Sequence, residues 1–309
     1  MVLHKLAANV ASILGTVSLM MTLGISPSIQ SEGSAAFLTR GTMIVFVTSK
    51  DGLIVAADSE QTISRDPNCK YSVDKIVELR SHTRSVITIA GVDTIYDPTN
   101  EPKIVDPCIY ANSHDPVARF SDTAQTFLDS YQGKIDVEVF KHLQTAMLEK
   151  VVSLKKKYGD VLSNREGVFM LSYAHYSPNE KTATYAAFRI CLSAPSENPS
   201  VCSSEWTVMG QTDVAVLKIV GATDCFDKLV RSPGGRSSFA GTFLKDFDDF
   251  ISHPRPISEI TSAEALAVAV DVIKSTSKLS STLPAAICGV GEPIHAVILD
   301  EHQRPFTLQ

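Results

Sequence analysis

The chain has 309 residues, which is enough for one large domain or two small ones. Hydrophobic residues make up 44% and charged residues 20%, a composition typical of a globular protein with a substantial buried core. The net charge of −6, with no run of Lys or Arg longer than three, argues against the basic surface that nucleic-acid binding needs.

The N-terminus has the composition of an export signal. His4 and Lys5 precede an uncharged, mostly apolar stretch from Leu6 to Ile25, the order found in signal peptides. We therefore predict a signal peptide over residues 1–28 and an exported protein, periplasmic or extracellular. Two alternatives stay open: an uncleaved anchor, which would be the chain's one contact with a membrane, or a misassigned start codon and a cytoplasmic protein.

After residue 41 the pattern changes to β-strands. Thr42–Thr48 and Leu53–Ser59 flank an Asp51-Gly52 pair, and such a pair between two β-rich runs is a strong hairpin signal. Both runs are apolar on both faces, so the sheet that contains them must be covered on each side. Two more strands are predicted at Val73–Leu79 and Ser85–Gly91.

Two amphipathic helices are predicted next. Asp115 is placed as the N-cap of the first, with Pro116 in its first turn and Gly133 at its end. The second begins at about Val137 and carries apolar residues at helical spacing. The remaining elements are strands at Gly167–Tyr176, Ala183–Leu192 and Trp206–Gly210, helices at Asp213–Val220, Phe239–Ile251 and after a Thr261–Glu264 capping box, and a last strand at Ile294–Asp300.

This order of elements favours a layered α+β fold. Runs of strands followed by runs of helices are typical of packed layers rather than of alternating βαβ units. A sheet covered by helices on one face and by a second sheet on the other satisfies the double-sided apolar pattern of the first two strands.

Six cysteines are present, and none lies in a CxxC or Cys/His pattern with metal-ligand spacing. Cys191 and Cys202 flank a turn rich in Pro and Ser, which makes them the best candidates for a disulfide. The alternative is that they are small buried hydrophobic residues. No histidine pair and no glycine-rich phosphate loop is found, so we predict neither a metal nor a cofactor.

The predicted hairpin brings chemically useful groups together. With a turn near Lys50–Gly52, Thr42 lies opposite a residue between Ser59 and Gln61, and Asp58 is one pair away, within side-chain reach. Asp58 stands in an apolar run and needs a cationic partner, which Lys75 can supply. A structural ion pair without chemistry is the alternative.

Four segments give the chain a resemblance to a known family. Gly41-Thr42, then Gly52–Ser59 (GLIVAADS), Asp74–Ile76 (DKI) and Ala90-Gly91 resemble the first part of proteasome β subunits and their bacterial relatives. These are N-terminal-nucleophile (Ntn) hydrolases. The resemblance implies a four-layer αββα sandwich over residues 42–309, preceded by a propeptide at 29–41.

The resemblance also implies roles for individual residues. Self-cleavage between Gly41 and Thr42 would make Thr42 the N-terminal nucleophile, Asp58 and Lys75 would complete the site, and the Gly91 N–H would bind the oxyanion. The implied activity is a threonine-type amide or peptide hydrolysis through an acyl-enzyme, without a cofactor. A polypeptide or a small amide is the implied substrate, and a homo-oligomeric ring the implied assembly.

Two later segments depart from the family. Where relatives carry a serine, this chain reads Met209–Asp213 with Gln211 at its centre, and the segment 286–292, which includes Cys288, has no aspartate. Other functions therefore stay open on the same fold. They are a catalytically inactive shell or assembly subunit and an exported binding protein.

Overall fold

The structure is a computed structural model, and it describes residues 37–40, 42–63, 66–99, 106–162, 168–191, 198–221, 226, 244–280, 290–302 and 304–308. All of them belong to one compact unit, Ser34–Gln309. The predicted signal peptide 1–28, residues 29–36 and 41 of the predicted propeptide, and Cys288 lie outside the described residues.

Three antiparallel sheets and five α-helices make up the described chain. Sheet I contains β2 (Met43–Ser49), β3 (Gly52–Asp58), β13 (Leu217–Gly221), β14 (Ile294–Leu299) and β15 (Arg304–Leu308). Sheet II contains β6 (Ile76–Glu78), β7 (Ser85–Gly91), β10 (Phe169–Ser177), β11 (Thr182–Cys191) and β12 (Ser200–Met209). Sheet III contains β1 (Phe37–Arg40), β4 (Glu60–Ile63), β5 (Asp66–Ser72), β8 (Thr94–Tyr96) and β9 (Ala118–Arg119). The helices are α1 (Pro107–Ser113), α2 (Phe120–Ser130), α3 (Val137–Leu162), α4 (Lys245–Ser252) and α5 (Ser262–Ser280).

Sheets I and II pack face to face. Their strand orders are β13-β2-β3-β14-β15 and β12-β11-β10-β7-β6. The layer between them is formed by one face of each sheet, with Phe46 and Val55 from sheet I packed among Ala174 and Tyr185 from sheet II. Phe46 and Tyr185 meet edge to face at 4.8 Å between ring centroids. This packing buries the second apolar face of the β2–β3 hairpin.

Helices cover the two outer faces. Phe247 of α4 and Val272 of α5 share an apolar core with the outward-facing residues of sheet I. On the other side, Phe140 and Leu143 of α3 pack on Phe188 of sheet II. The layers are therefore helix, sheet, sheet, helix, and the α+β fold class with its four-layer αββα sandwich is confirmed.

Sheet III is a smaller addition to the sandwich, with the order β5-β4-β1-β8-β9. A disulfide between Cys69 and Cys108 joins β5 to α1, and Tyr96 and Tyr110 complete a small separate core there. The second disulfide links Cys191 to Cys202 across β11 and β12, as the sequence analysis predicted.

Two predicted elements were wrong. Asp115 does not cap a helix, because the chain beyond it pairs with β8 as β9, and α2 begins only at Phe120. Residues 217–221 form a strand rather than part of a helix, because they pair with the edge of β2. Short apolar runs fit either structure, and the partner strand decided both cases. Within the described residues, no helix has both the length and the apolar character needed to cross a membrane.

Candidate active site

The β2–β3 hairpin fixes the position of Thr42. Ile44 pairs with Ala57, so the next rungs of the ladder set Met43 level with Asp58 and Thr42 level with Ser59. Thr42 comes immediately before β2 and is only 2% exposed. The hydroxyl of Thr42 therefore lies at the buried end of a central strand of sheet I.

Asp58, the last residue of β3, is fully buried and accepts hydrogen bonds from three sides. Its Oδ1 accepts from the Met43 N–H at 2.6 Å and from Lys75 Nζ at 3.1 Å, and its Oδ2 accepts from the Gly291 N–H at 3.2 Å. Burial raises the pKa of Asp58, and the charge of Lys75 together with these donors opposes that rise. The carboxylate thus ties the chain just after Thr42 to the lysine.

Lys75 lies one residue before β6 and is 5% exposed. Its Nζ donates to Asp58 and also to the main-chain carbonyl of Glu60. Burial lowers the pKa of Lys75, while the negative charges of Asp58, Glu60 and Asp93 raise it. A lysine whose pKa is lowered in this way exchanges its proton closer to neutral pH than a solvated lysine does.

Gly91 ends β7 with a φ of +100°, a conformation that other residues rarely adopt. A Cβ at this position would lie 2.9 Å from the Val168 carbonyl oxygen, so a side chain has no room. The Val92 N–H donates to that carbonyl, towards β10. Because successive residues of a strand bond in alternate directions, the Gly91 N–H points the other way, to the side of β7 on which β6 lies and which Lys75 immediately precedes.

Gly221 is a site residue that the sequence analysis missed. It ends β13, pairs with Met43 and has a φ of +97°. A Cβ at Gly221 would come within 1.9 Å of the Thr42 carbonyl oxygen. Only glycine therefore lets β13 approach the main chain of Thr42 this closely.

Sheet III holds the segment that precedes Thr42. β1 ends at Arg40 and is the central strand, antiparallel to β4 on one side and to β8 on the other. The chain before Gly41 is thus extended and hydrogen-bonded at both edges. Part of the predicted propeptide is in this way a structural strand.

Of the four predicted site residues, the structure joins Asp58 and Lys75 directly and connects them to Thr42 through the Met43 amide. Gly91 ends β7, and β7 pairs with β6, the strand that Lys75 immediately precedes. Gln211 is engaged elsewhere, donating from its side chain to the Lys181 carbonyl at 3.3 Å.

No cluster of three or more His, Cys, Asp or Glu side chains suited to a metal ion occurs in the part of the chain that the structure describes. The Thr42 hydroxyl, the Lys75 amine, the buried Asp58 carboxylate and the Gly91 N–H are the kinds of group that acyl transfer uses.

No protein-family profile matches the sequence, and no curated protein matches it. The solved structures that are similar to the chain include two Anbu proteins. Anbu from Hyphomicrobium sp. strain MC1, as a Gly-1 mutant, is 12% identical over 87% of this chain and 88% of its own, with a TM-score of 0.43. Anbu from Yersinia bercovieri, described as an ancestral beta-subunit, is 15% identical over 86% and 87% of the two chains, with a TM-score of 0.42. At these levels of sequence identity and structural similarity, nothing about the activity of this chain follows from either protein.

Proposed function

We propose that the chain is a threonine-type N-terminal-nucleophile hydrolase that cleaves itself between Gly41 and Thr42 and then hydrolyses amide bonds. One observation carries the proposal. A fully buried Asp58 binds both the ammonium of Lys75 and the amide of Met43, the residue after the hydroxyl of Thr42. Burying two charges is costly, so their placement beside a hydroxyl supports a functional role.

Self-cleavage uses the Thr42 hydroxyl on its own chain. The oxygen attacks the Gly41 carbonyl carbon, the bond from that carbon to the Thr42 nitrogen breaks, and the nitrogen takes the hydroxyl proton. This step frees the α-amine of Thr42, and water then hydrolyses the resulting ester, which restores the Thr42 hydroxyl and releases the segment that ends at Gly41. The oxyanion formed at each attack is bound by the Gly91 N–H, a contact worth about 3 kcal/mol in comparable sites.

Turnover repeats the attack on a substrate amide. The free α-amine, with a reference pKa of about 7.7–8.0, accepts the hydroxyl proton and passes it to the leaving amine. The carbon–nitrogen bond of the substrate breaks, and its acyl part stays on Thr42 as an ester until water releases it. Lys75 stabilises the developing negative charge on the threonine oxygen.

The position of β1 supports an extended polypeptide as the substrate. The residues just before Gly41 are held as a strand between β4 and β8, and a peptide with the same backbone can pair with both strands. A small amide is the alternative substrate.

We further propose a homo-oligomeric ring and export, and the two disulfides support export because such bonds persist outside the cytosol. A reporter active only after export, fused to residues 1–36, tests the last point.

Intact-mass and N-terminal sequence analysis of the purified protein tests the proposal. The expected mature chain runs from Thr42 to Gln309, 309 residues less the first 41, or 268. Thr42→Ala should stop both processing and peptide hydrolysis, whereas Thr42→Ser keeps a hydroxyl and an amine and should retain part of both. Thr42→Val is the matched control, since it preserves size without a nucleophile.

Processing of the valine variant at the original rate would overturn the assignment of Thr42. A stable precursor that assembles but still contains Arg40-Gly41 would instead favour the inactive shell subunit or the binding protein.

A further inference from the structure

Ser59 is a buried serine whose hydroxyl is not used in folding. It directly follows β3 and is 1% exposed. Its main-chain N–H donates to the Pro293 carbonyl at 3.0 Å, and its own carbonyl accepts from the Val73 N–H at 2.9 Å. Its Oγ has no hydrogen-bond partner among the described residues. A buried hydroxyl without a partner costs stability, so this side chain calls for an explanation other than folding.

The hydroxyl of Ser59 faces the same layer as the hydroxyl of Thr42. Ile44 and Ala57 pair in register, and both belong to the core between sheets I and II. Thr42 and Ser59 each lie two residues further towards the same end of the hairpin, so their side chains are on that face. Cross-strand neighbours have Cβ atoms about 4.5–5.5 Å apart, and pairs of Thr and Ser at this spacing form hydrogen bonds.

The end of β7 lies against this part of the hairpin. A Cβ at Gly221 would contact both the Thr42 carbonyl and the Ala90 side chain, so the main chain of Thr42 is close to the residue before Gly91. Thr42 and Ser59 are both buried, which keeps bulk water away from them. In such surroundings a hydrogen bond to an oxygen that gains negative charge is stronger than it is in water.

We propose that Ser59 is a further catalytic residue, whose hydroxyl donates a hydrogen bond to the Thr42 hydroxyl oxygen. A change of the Ser59 χ1 rotamer turns its hydroxyl towards Thr42. A hydroxyl accepts two hydrogen bonds and donates one, so the Thr42 proton stays free to pass to its base. The bond stabilises the negative charge on the Thr42 oxygen when that oxygen attacks, and again when it leaves during ester hydrolysis. The inference rests on the proposed hydrolase function.

Peptide hydrolysis by the processed protein tests the role of Ser59. The probe is Leu-Thr-Arg-Gly, the chain's own sequence before Thr42, joined by an amide to a fluorogenic amine. Ser59→Ala should lower kcat by about tenfold to a hundredfold and leave KM unchanged, because the lost hydroxyl contacts the nucleophile and not the bound substrate. Ser59→Thr keeps a hydroxyl and should recover most of kcat. Ser59→Cys keeps the shape with a weaker donor and should lower kcat as alanine does.

Ser172→Ala is the matched control, because it makes the same change at an equally buried serine of β10. Ser172 lies on the same face of β10 as Ala174, which belongs to the core between the sheets. Its kcat should equal that of the parent protein. An equal fall of kcat in Ser172→Ala and Ser59→Ala would overturn the inference, because activity would then follow packing.

Urea unfolding gives a readout that a structural role would move in the opposite direction. In the Thr42→Ala background the Ser59 hydroxyl has no threonine to bind, so Ser59→Ala should leave the urea midpoint unchanged or raise it. A lower midpoint would show that the hydroxyl stabilises the fold and would contradict the proposed role.

The precursor gives a second kinetic measurement. Self-cleavage uses the same Thr42 oxygen, so Ser59→Ala should slow it by a similar factor, timed by intact mass. Slow peptide hydrolysis with self-cleavage at the parent rate would refute the bond to the hydroxyl, because only the α-amine is new after cleavage. Parent rates for both reactions, with Thr42→Ala inactive, would overturn this inference alone. No Thr42-dependent cleavage of the peptide or of the precursor would overturn the proposed function as well.

Discussion

The Asp58–Lys75 pair makes a quantitative prediction about stability. Both side chains are buried, with exposed fractions of 0% and 1%. Lys75→Met keeps the length of the side chain but leaves Asp58 buried without its cationic partner and bound only by the Met43 and Gly291 amides. Removing one partner of such a pair costs about 3–5 kcal/mol. Since domains are stable by only about 5–15 kcal/mol, this is a large loss.

The double variant separates an interaction from two independent defects. Asp58→Asn with Lys75→Met leaves no isolated charge, so its loss of stability should fall short of the sum of the single losses by about 2 kcal/mol or more. All variants should carry Thr42→Ala, so that every chain stays covalently intact.

Urea unfolding followed by fluorescence of Trp206, the single tryptophan, gives the free energies. This residue packs against Phe140 and Tyr173 and so reports on sheet II. Losses that add to within about 0.5 kcal/mol would refute the pairing, because independent sites behave in that way. A single-variant loss below about 1 kcal/mol would show that the lysine does not neutralise a buried charge.

Three further changes have definite expected results. Gly221→Ala places a Cβ against the Thr42 carbonyl at a φ of +97°, so it should cost about 1–2 kcal/mol from the backbone alone and slow self-cleavage by intact mass. Burial raises the pKa of Asp271 to about 6 from 3.8, so the folded state binds the Asp271 proton more tightly than the unfolded chain does. The stabilisation from this proton is complete below pH 3.8 and is lost as the pH rises through 6. Asp271→Asn should flatten the urea stability profile between those values by roughly 1 kcal/mol, after allowance for solvent screening. Cys69→Ser removes a disulfide that spans 39 residues, and Cys191→Ser removes one that spans 11. The free energy of unfolding should fall by about 4 and about 3 kcal/mol, because the unfolded chain gains conformational entropy. Only Cys69→Ser should slow processing, because only the Cys69–Cys108 disulfide links a strand of sheet III to a helix.

The sandwich and most of the site could be predicted because their signals are local. The Asp51-Gly52 turn sets the hairpin, and the hairpin sets Asp58 one pair from Thr42. Lys75 follows from the need to compensate a buried carboxylate. These inferences use residues that are close in sequence or periodic along it.

Sheet III and Gly221 could not be predicted in the same way. The strands of sheet III are short and partly polar, and they form because β1 brings β4 and β8 together from distant parts of the sequence. Gly221 matters only because β13 pairs with β2, some 170 residues earlier in the chain. The misread helix at Asp213–Val220 has the same origin, since an apolar run adopts whichever structure its neighbours complete.

Because β1 is the central strand of sheet III, cleavage of the chain and access of a substrate to the site are two separate steps. The proposed hydrolysis after Gly41 would break one covalent bond, and the hydrogen-bonded pairing of β1 with β4 and β8 would be unchanged at that moment. The cleaved segment would then have to break the hydrogen bonds of β1 to both neighbouring strands before another chain could enter. Its departure leaves a slot two strand spacings wide, about 9.5 Å, which one extended chain fills and an α-helix of about 10–12 Å does not. The newly cleaved protein would therefore be inhibited by its own cleaved segment. Its peptide hydrolysis would show a lag set by dissociation of that strand rather than by the rate of bond cleavage.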